Sequence, residues 1–279
     1  MILGFLGKGG SGKSSVATQM ALILKKESYT VLAIDADHNM DLAYNLNPEN
    51  TSVKYFSDSL ESLQQAAGLV GNQKYTDIFL TDVAQHFTLT PTSTVIEKYS
   101  TVLKNAIRLM AAGPQTDTVL HGQACSHSLT TPLKVLLPLL QLQNNEVVVV
   151  DEKAGADGVS TGIVTGIDVG VIICEPSLHS IKAAKQIAEL MEFFETPYVF
   201  VGNKITSGED KDFITQELKQ EPVVFLTDSN GVKREPSEAE YKWSTEISKI
   251  IQVCKELSRN DRLNRTAKKF KRNQAFVTV

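Results

Sequence analysis

The chain has 279 residues, of which 42% are hydrophobic and 22% charged, the balance of an ordinary soluble globular protein. Its formal net charge of −4 argues against a dedicated nucleic-acid binder, and its three scattered cysteines exclude a disulfide framework. No signal-peptide pattern opens the sequence, and apolar runs such as Val147–Val150 are far shorter than a membrane span. We therefore expect a cytoplasmic protein without a membrane span.

Short apolar runs alternate with amphipathic stretches along most of the chain. The predicted strands are residues 2–6, 30–35, 106–111, 146–151, 169–174 and 197–202. The predicted helices are residues 13–27, 129–142, 178–194 and 238–257. Buried strands that alternate with helices are typical of a mostly parallel sheet covered by helices on both faces. We expect one α/β domain over residues 1–258.

Two segments do not fit this alternation. Residues 50–100 are polar and interrupted, which favours an inserted surface subregion. Residues 259–279 form a basic C-terminal tail, in which positions 259–273 hold seven basic residues and one acidic residue. The cations recur at near-helical spacing, which suits either a stripe that meets an acidic partner or phosphates, or a solvated helix end.

Residues Gly7–Ser14 fit the phosphate-loop pattern G-x-x-x-x-G-K-[ST]. The pattern follows a predicted strand and opens a predicted helix, so backbone N–H groups and the helix N-terminus can cradle phosphates. Lys13 is expected to reach the β- and γ-phosphates, and Ser14 to ligate Mg²⁺. The predicted nucleotide-binding residues are Gly7, Gly9, Gly10, Ser11, Gly12, Lys13, Ser14 and Ser15.

Three carboxylates follow predicted strands. Asp35 and Asp37 come after the strand at 30–35, and Asp151 ends the strand at 146–151. Because the carboxyl ends of parallel strands share one edge of the sheet, these groups can converge on the phosphate loop. A single carboxylate at such a position is typical of a residue that caps a loop. Three of them on one sheet edge favour a metal-dependent nucleotidase.

A second lysine, Lys8, stands near the start of the loop. G-K-G-G-S-G-K-S resembles the deviant Walker A motif of the Mrp/MinD-type ATPases. The resemblance implies a P-loop fold and a Mg²⁺-dependent ATPase that hydrolyses ATP to ADP. It also implies an ATP-sandwiched homodimer in which Lys8 reaches the partner's nucleotide, as an arginine finger does. By the same resemblance Asp37 positions the attacking water, Asp35 and Asp151 lie on the metal side, and Asn203 reads adenine.

Residues 111–131, AAGPQTDTVLHGQACSHSLTT, resemble the segment that carries a Cys-x-Cys pair in the carbon monoxide dehydrogenase maturation ATPases of the CooC type. In that branch two such pairs face each other across the dimer and bind a metal. Here Ala124 replaces the second glycine and His127 the second cysteine. Cys125 and His127 from two subunits would make a four-ligand site for Ni²⁺ or Zn²⁺, with His121 a candidate extra ligand. The alternative is a helix-entry loop that binds no metal.

Three functions follow from these resemblances. The first is a metallochaperone ATPase that matures a carbon monoxide dehydrogenase-like client by inserting nickel. The second is a MinD/ParA-like positioning or partition ATPase. The third is an iron-protein-like electron donor, which is disfavoured because Cys174 and Cys254 fit buried strand and helix positions.

Overall fold

The computed structural model describes residues 1–47, 52–71, 73–80, 85–114, 121, 129–227 and 243–277. The strands are β1 Ile2–Gly7, β2 Thr30–Asp35, β3 Phe87–Thr88, β4 Thr101–Val102, β5 Arg108–Ala111, β6 Leu140–Gln141, β7 Glu146–Asp151, β8 Val169–Cys174, β9 Tyr198–Ile205 and β10 Val224–Thr227. The helices are α1 Lys13–Lys26, α2 Asp41–Leu46, α3 Leu60–Ala66, α4 Thr94–Lys98, α5 Leu133–Leu139, α6 Ala156–Ser160, α7 Leu178–Phe193, α8 Gly208–Leu218, α9 Ser244–Leu257 and α10 Arg262–Val277.

Eight of these strands form one sheet in the order β10-β9-β8-β1-β7-β2-β5-β4. Every neighbouring pair is parallel except β4 and β5 at one edge. β1 lies in the middle, between β7 and β8, so the loop that follows it opens at the centre of the carboxyl edge. The predicted α/β fold with a mostly parallel sheet is confirmed.

Helices cover both faces of the sheet because successive side chains of a strand point to opposite sides. Ile2 and Leu6 of β1 pack in one core, which α5, α7, α8 and α10 help to cover. Leu3 and Phe5 pack in the other core, with α1 and α9. Within the described ranges, no helix combines the length and apolar composition that crossing a bilayer requires.

Residues 50–100, expected at the surface, contribute to the core. Phe56, Leu63 and Ile78 are each at most 2% exposed and pack in the core of the first face. The elements of this segment are short helices, 3₁₀ turns and two-residue strands, which leave no sustained periodicity in the sequence. The sequence also did not predict α8 or β10.

The basic tail is also part of the fold, which corrects one of its two interpretations, that of a solvated helix end. Arg262 is 6% exposed and donates from Nη1 to Asp168 at 2.6 Å and from Nη2 to the Leu140 carbonyl at 2.7 Å. Asp168 in turn accepts the backbone N–H of Ile2 at 2.7 Å. Arg265, 4% exposed, donates to the Ile167 carbonyl. These contacts fasten α10 to the turn before β8 and to the first residue of β1.

Candidate functional site

The loop between β1 and α1 has the backbone conformation that its glycines predict. Gly7 and Gly12 have φ values of +148° and +94°, which L side chains rarely adopt. A Cβ at Gly7 would lie 2.4 Å from the Ile173 carbonyl, and one at Gly12 would lie 2.3 Å from Asn203 Nδ2. The loop therefore needs glycine at both positions, for its turn and for its close contact with β8 and β9.

Two residues at the end of β9 hold the loop from the side. Asn203, 4% exposed, donates from Nδ2 to the Ser11 carbonyl at 2.8 Å. Lys204 donates from Nζ to the Gly10 carbonyl at 2.6 Å and to Glu175 at 2.8 Å. Asn203 thus positions the phosphate loop here, and its expected contact with adenine stays a prediction. The sequence pattern alone does not indicate this role for Lys204.

Asp151 is placed beside the first turn of α1. It is 1% exposed, the Ser14 hydroxyl hydrogen-bonds its carboxylate, and its Oδ1 is buried without a hydrogen-bond partner. Burial raises the pKa of Asp151 to about 7, while Ser14 and the charge of Lys13 oppose that rise. Lys13 is itself 7% exposed, and its charge lies close enough to Asp151 to lower the pKa of that carboxyl.

Asp35 lies opposite Asp151 across neighbouring strands, as predicted from the shared sheet edge. Its Oδ1 accepts the Asp37 N–H at 3.1 Å and its Oδ2 accepts the Ala43 N–H at 2.8 Å. Burial and the charge of Asp151 raise the pKa of Asp35 to about 8. Because both oxygens already accept backbone donors, Asp35 positions the segment that carries Asp37, and Asp151 has the better-placed oxygen for a cation.

Asp37 lies in the loop that links β2 to α2. Its Oδ1 accepts the N–H of Asn39 at 3.2 Å and lies 3.3 Å from His38 Nδ1. Its side chain is 17% exposed, so a water molecule can reach it. The described residues bring Asp35, Asp37 and Asp151 to the same edge as the phosphate loop.

Glu152 is a further buried carboxylate at this edge, which was not among the residues predicted for the site. It is 2% exposed, its N–H donates to the Phe5 carbonyl at 3.1 Å, and its Oε1 has no hydrogen-bond partner. Burial, followed by the charge of Asp151, raises the pKa of Glu152 to about 8, and the charge of Lys134 opposes the rise. Its position directly after Asp151, at the end of a predicted strand, is the sequence feature that could have placed it at the site.

The side chain of Lys8 lies beside Glu175, the residue that follows β8. Its Nζ is 3.7 Å from Glu175 Oε1, and its side chain is 41% exposed. Glu175 also binds Lys204, so one carboxylate contacts both cations. The sequence pointed to Lys8 but not to Glu175, which follows β8 just as Asp151 ends β7.

The candidate transition-metal ligands Cys125 and His127 lie outside the residues that the structure describes, as does Ala124. His121 is described and is an exposed turn residue. Among the described residues, no group of three or more His, Cys, Asp or Glu side chains is arranged to hold a metal. Cys174 and Cys254 are fully buried in the core, as their sequence positions predict, and burial raises the pKa of each thiol to about 12.

The glycine loop, the buried lysine at the helix start and the strand-end carboxylates define a P-loop nucleotide-binding protein. A model of the CobQ/CobB/MinD/ParA nucleotide binding domain family (CbiA) matches residues 5–272. The chain belongs to this family.

Two sequence relatives and one solved structure illustrate what this chain is similar to. An uncharacterised ATP-binding protein of Methanocaldococcus jannaschii is 28% identical over 262 residues, which cover 91% of this chain and 99% of the relative. The carbon monoxide dehydrogenase accessory protein CooC of Rhodospirillum rubrum is 28% identical over 222 residues, 79% of this chain and 80% of that protein. The structure of the septum site-determining protein MinD of Pyrococcus horikoshii OT3, complexed with Mg-ADP, matches with a TM-score of 0.56 and 13% identity over 91% of this chain and 97% of that one. That likeness concerns the fold.

Proposed function

We propose that the protein is a homodimeric switch that binds ATP and hydrolyses it to ADP and phosphate. The observation that carries the proposal is the position of Lys8. Lys8 lies near the start of the phosphate loop with a side chain 41% exposed, while Lys13, at the end of the loop, is buried. A second, exposed cation at the carboxyl edge of the sheet is suited to meet a nucleotide held by another subunit.

The phosphates bind, on this proposal, to the backbone N–H groups of the loop and to the N-terminus of α1. Lys13 contacts the β- and γ-phosphates, and Asn203 reads the adenine. The residues assigned to the nucleotide are Gly7, Gly9, Gly10, Ser11, Gly12, Lys13, Ser14, Ser15 and Asn203. A nucleotide-binding relative 28% identical over 91% of this chain supports ATP as the ligand.

Magnesium fits the donors present. Asp151 has a buried oxygen without a partner, and the Ser14 hydroxyl lies against the same carboxylate. Carboxylate and hydroxyl oxygens are the donors that Mg²⁺ prefers. Ser14 and Asp151 would hold the ion, with Asp35 supporting them. The bound ion supplies charge neutralisation at the phosphates.

The chain's own residues carry the rest of the hydrolysis. Asp37 accepts a hydrogen bond from the attacking water and so orients it toward the γ-phosphate. Lys8 leaves Glu175 and brings its ammonium to the partner's phosphates, where it stabilises the developing charge. Phosphate release measured with Mg²⁺ and with EDTA, on the wild type and on Lys13→Ala, tests this activity directly.

We further propose that ATP-driven closure serves a metallochaperone role, in which the dimer assembles a nickel site and passes the metal to a carbon monoxide dehydrogenase-like client. Support comes from the 28% identity with CooC, over residues that include the segment resembling its metal motif. Cys125 and His127 of the two subunits would hold nickel or zinc as cargo, since thiolate and imidazole both suit such ions.

Metal uptake by the dimer trapped with a non-hydrolysable ATP analogue tests this role. We expect about one Ni²⁺ per dimer, lost in Cys125→Ala and in His127→Ala. The matched control is His179→Ala, because His179 is an exposed histidine in α7. Full uptake by Cys125→Ala, or no uptake by the wild-type dimer, would refute the metal role and leave the ATPase proposal standing.

A positioning or partition switch is the second candidate function. Its support is the family and the fold shared with MinD of Pyrococcus horikoshii. An iron-protein-like electron donor is less well supported, because Cys174 and Cys254 are packed in the core. ATP-dependent dimerisation without metal uptake would favour the switch, and a brown protein after anaerobic purification would favour the electron donor.

A further inference from the structure

A groove of about 400 Å³ lies where α5, α10 and the end of α7 meet, and none of its lining residues belongs to the nucleotide site. We call it the basic groove. Its described lining includes five cationic side chains: Lys134, Arg265, Lys268, Lys269 and Arg272. The same lining includes four aromatic side chains: Tyr75, Phe193, Phe194 and Phe270. A cavity of this size that combines apolar walls with convergent charges has the character of a small-molecule site.

The basic groove carries more positive charge than its own carboxylate can balance. Glu195, the one acidic residue in its described lining, pairs with Lys268 and with Arg272. Lys269 instead donates to the Thr161 carbonyl at 2.6 Å. Arg265 is 4% exposed, and its Nε is buried without a hydrogen-bond partner. Because the cations in the described lining outnumber its one carboxylate, an anion in the groove would be favoured.

The aromatic walls contact neighbouring rings, and one of them is open to solvent. Phe270 contacts Tyr75 edge-on at 5.8 Å and stacks on Phe79 at 5.5 Å, so its ring packs on both neighbours. Phe193 is a large apolar side chain, yet it is 62% exposed. The guanidinium of Arg272 lies 5.8 Å from the centre of that ring. An exposed ring beside a cation offers a face on which a second ring can stack.

We propose that the basic groove binds a small aromatic anion, whose acidic group meets Lys269 and Arg265 and whose ring packs on Phe193. The size of the groove favours a small molecule over a peptide or a membrane surface, which would need a broader face. The depressed pKa of Lys269, about 8 through burial and then the charge of Lys134, supports the assignment, because a bound anion restores a favourable environment for its charge.

The experiment is isothermal titration of the full chain at low salt with phthalate, a dicarboxylate chosen because it lacks the phosphate that the P-loop recognises. Malonate, which has the charges without the ring, and benzyl alcohol, which has the ring without the charges, are the comparison ligands. We expect phthalate to bind about tenfold more tightly than either, since both charge pairing and stacking contribute. Millimolar phthalate that gives no saturable binding overturns the proposal.

Three variants locate the binding. Lys269→Gln should weaken phthalate binding about fivefold or more, and Lys271→Gln should change it less than twofold. Lys271 is the matched control because it lies on α10, two residues away, and outside the groove lining. Glu195→Gln should strengthen binding severalfold, since it removes the carboxylate that competes for Lys268 and Arg272. A gain of affinity cannot come from misfolding.

Two further results would overturn the proposal. Equal losses of phthalate affinity in Lys269→Gln and Lys271→Gln would show that the anion is attracted to the charge of α10 as a whole and does not bind in the groove. Binding to phosphatidylglycerol vesicles that Lys269→Gln abolishes, without saturable phthalate binding, would show that a lipid surface is the partner.

Discussion

The ammonium of Lys8 lies 3.7 Å from a carboxylate oxygen of Glu175 in the same subunit, and the other oxygen of that carboxylate binds Lys204 at 2.8 Å. Lys204 in turn donates to the Gly10 carbonyl of the phosphate loop. One carboxylate therefore joins Lys8 to the residue that fastens the loop to β9. If Lys8 acts on the partner's nucleotide, Glu175 is the group it must leave.

Replacing Glu175 should ease that release. A partly exposed ion pair contributes roughly 0.2–1 kcal/mol, and two such pairs open when the dimer forms, so Glu175→Gln should tighten ATP-dependent dimerisation by no more than about 30-fold. Sedimentation velocity across a protein concentration series measures the change. Glu189→Gln, an exposed glutamate of α7, is the control. Weaker dimerisation in Glu175→Gln would instead mean that Glu175 makes a favourable contact within the dimer.

Asp151→Asn should separate metal-dependent chemistry from nucleotide binding. Removing a buried carboxylate beside the phosphate site should leave ADP affinity in EDTA unchanged or tighter. Mg²⁺-stimulated phosphate release should fall by about 100-fold, because the cation loses its best-placed ligand. Fluorescent-nucleotide titration and a phosphate-release assay give the two values. An equal loss of affinity with and without Mg²⁺ would show that Asp151 shapes the loop and does not hold the ion.

Arg262→Ala should unfold the protein more readily, because it leaves Asp168 buried without its guanidinium partner. Breaking a buried ion pair from one side costs about 3–5 kcal/mol in the free energy of unfolding. Urea denaturation compared with Arg259→Ala, an exposed arginine just before α10, checks the value. A cost below about 1 kcal/mol would mean that the Arg262–Asp168 pair does not stabilise the fold. The same contacts mean that deleting residues 259–279 would destabilise the fold and could not be interpreted as the loss of a partner.

Lys269 gives the stability a defined pH dependence. Its pKa is about 8 in the folded protein against an ordinary value of 10.5, because burial and then the charge of Lys134 disfavour its charged form. Between these values the unfolded chain binds the proton more strongly, so stability rises with pH from about 8 to about 10. Lys269→Gln lacks this contribution. The free energy of unfolding of Lys269→Gln, minus that of the wild type, should therefore fall as the pH rises through that range, as measured by urea denaturation at a series of pH values. If the two proteins show the same dependence on pH, the lowered pKa of Lys269 is contradicted.

The sequence predicted the central strands and the phosphate loop because their signals are local. Runs of valine and isoleucine specify buried strands, and the order of strand, glycine-rich loop and helix specifies the loop. The meeting of Asp35 with Asp151 also followed, since the carboxyl ends of parallel strands share one edge.

Contacts that depend on strand order were not predictable in the same way. Lys8 meets Glu175, and Arg262 meets Asp168, only because β8 pairs with β1 and α10 returns across the sheet. The charge of the C-terminal tail predicts that its side chains are exposed to solvent. No local sequence pattern indicates that two of its arginines are buried. The burial of Phe56 in the core was not predicted either, because the residues around it lack helical or strand periodicity.

Mixing two inactive variants tests the central claim, that Lys8 acts across the dimer, most directly. A Lys8→Ala subunit keeps its own Asp37, and an Asp37→Ala subunit keeps a Lys8 that can reach the nucleotide of its partner. Each variant alone should release almost no phosphate from ATP. A 1:1 mixture should recover about a quarter of wild-type activity, because half of the dimers are mixed and each holds one complete site. A mixture as inactive as its components would contradict the account, since it would place Lys8 at its own subunit's nucleotide.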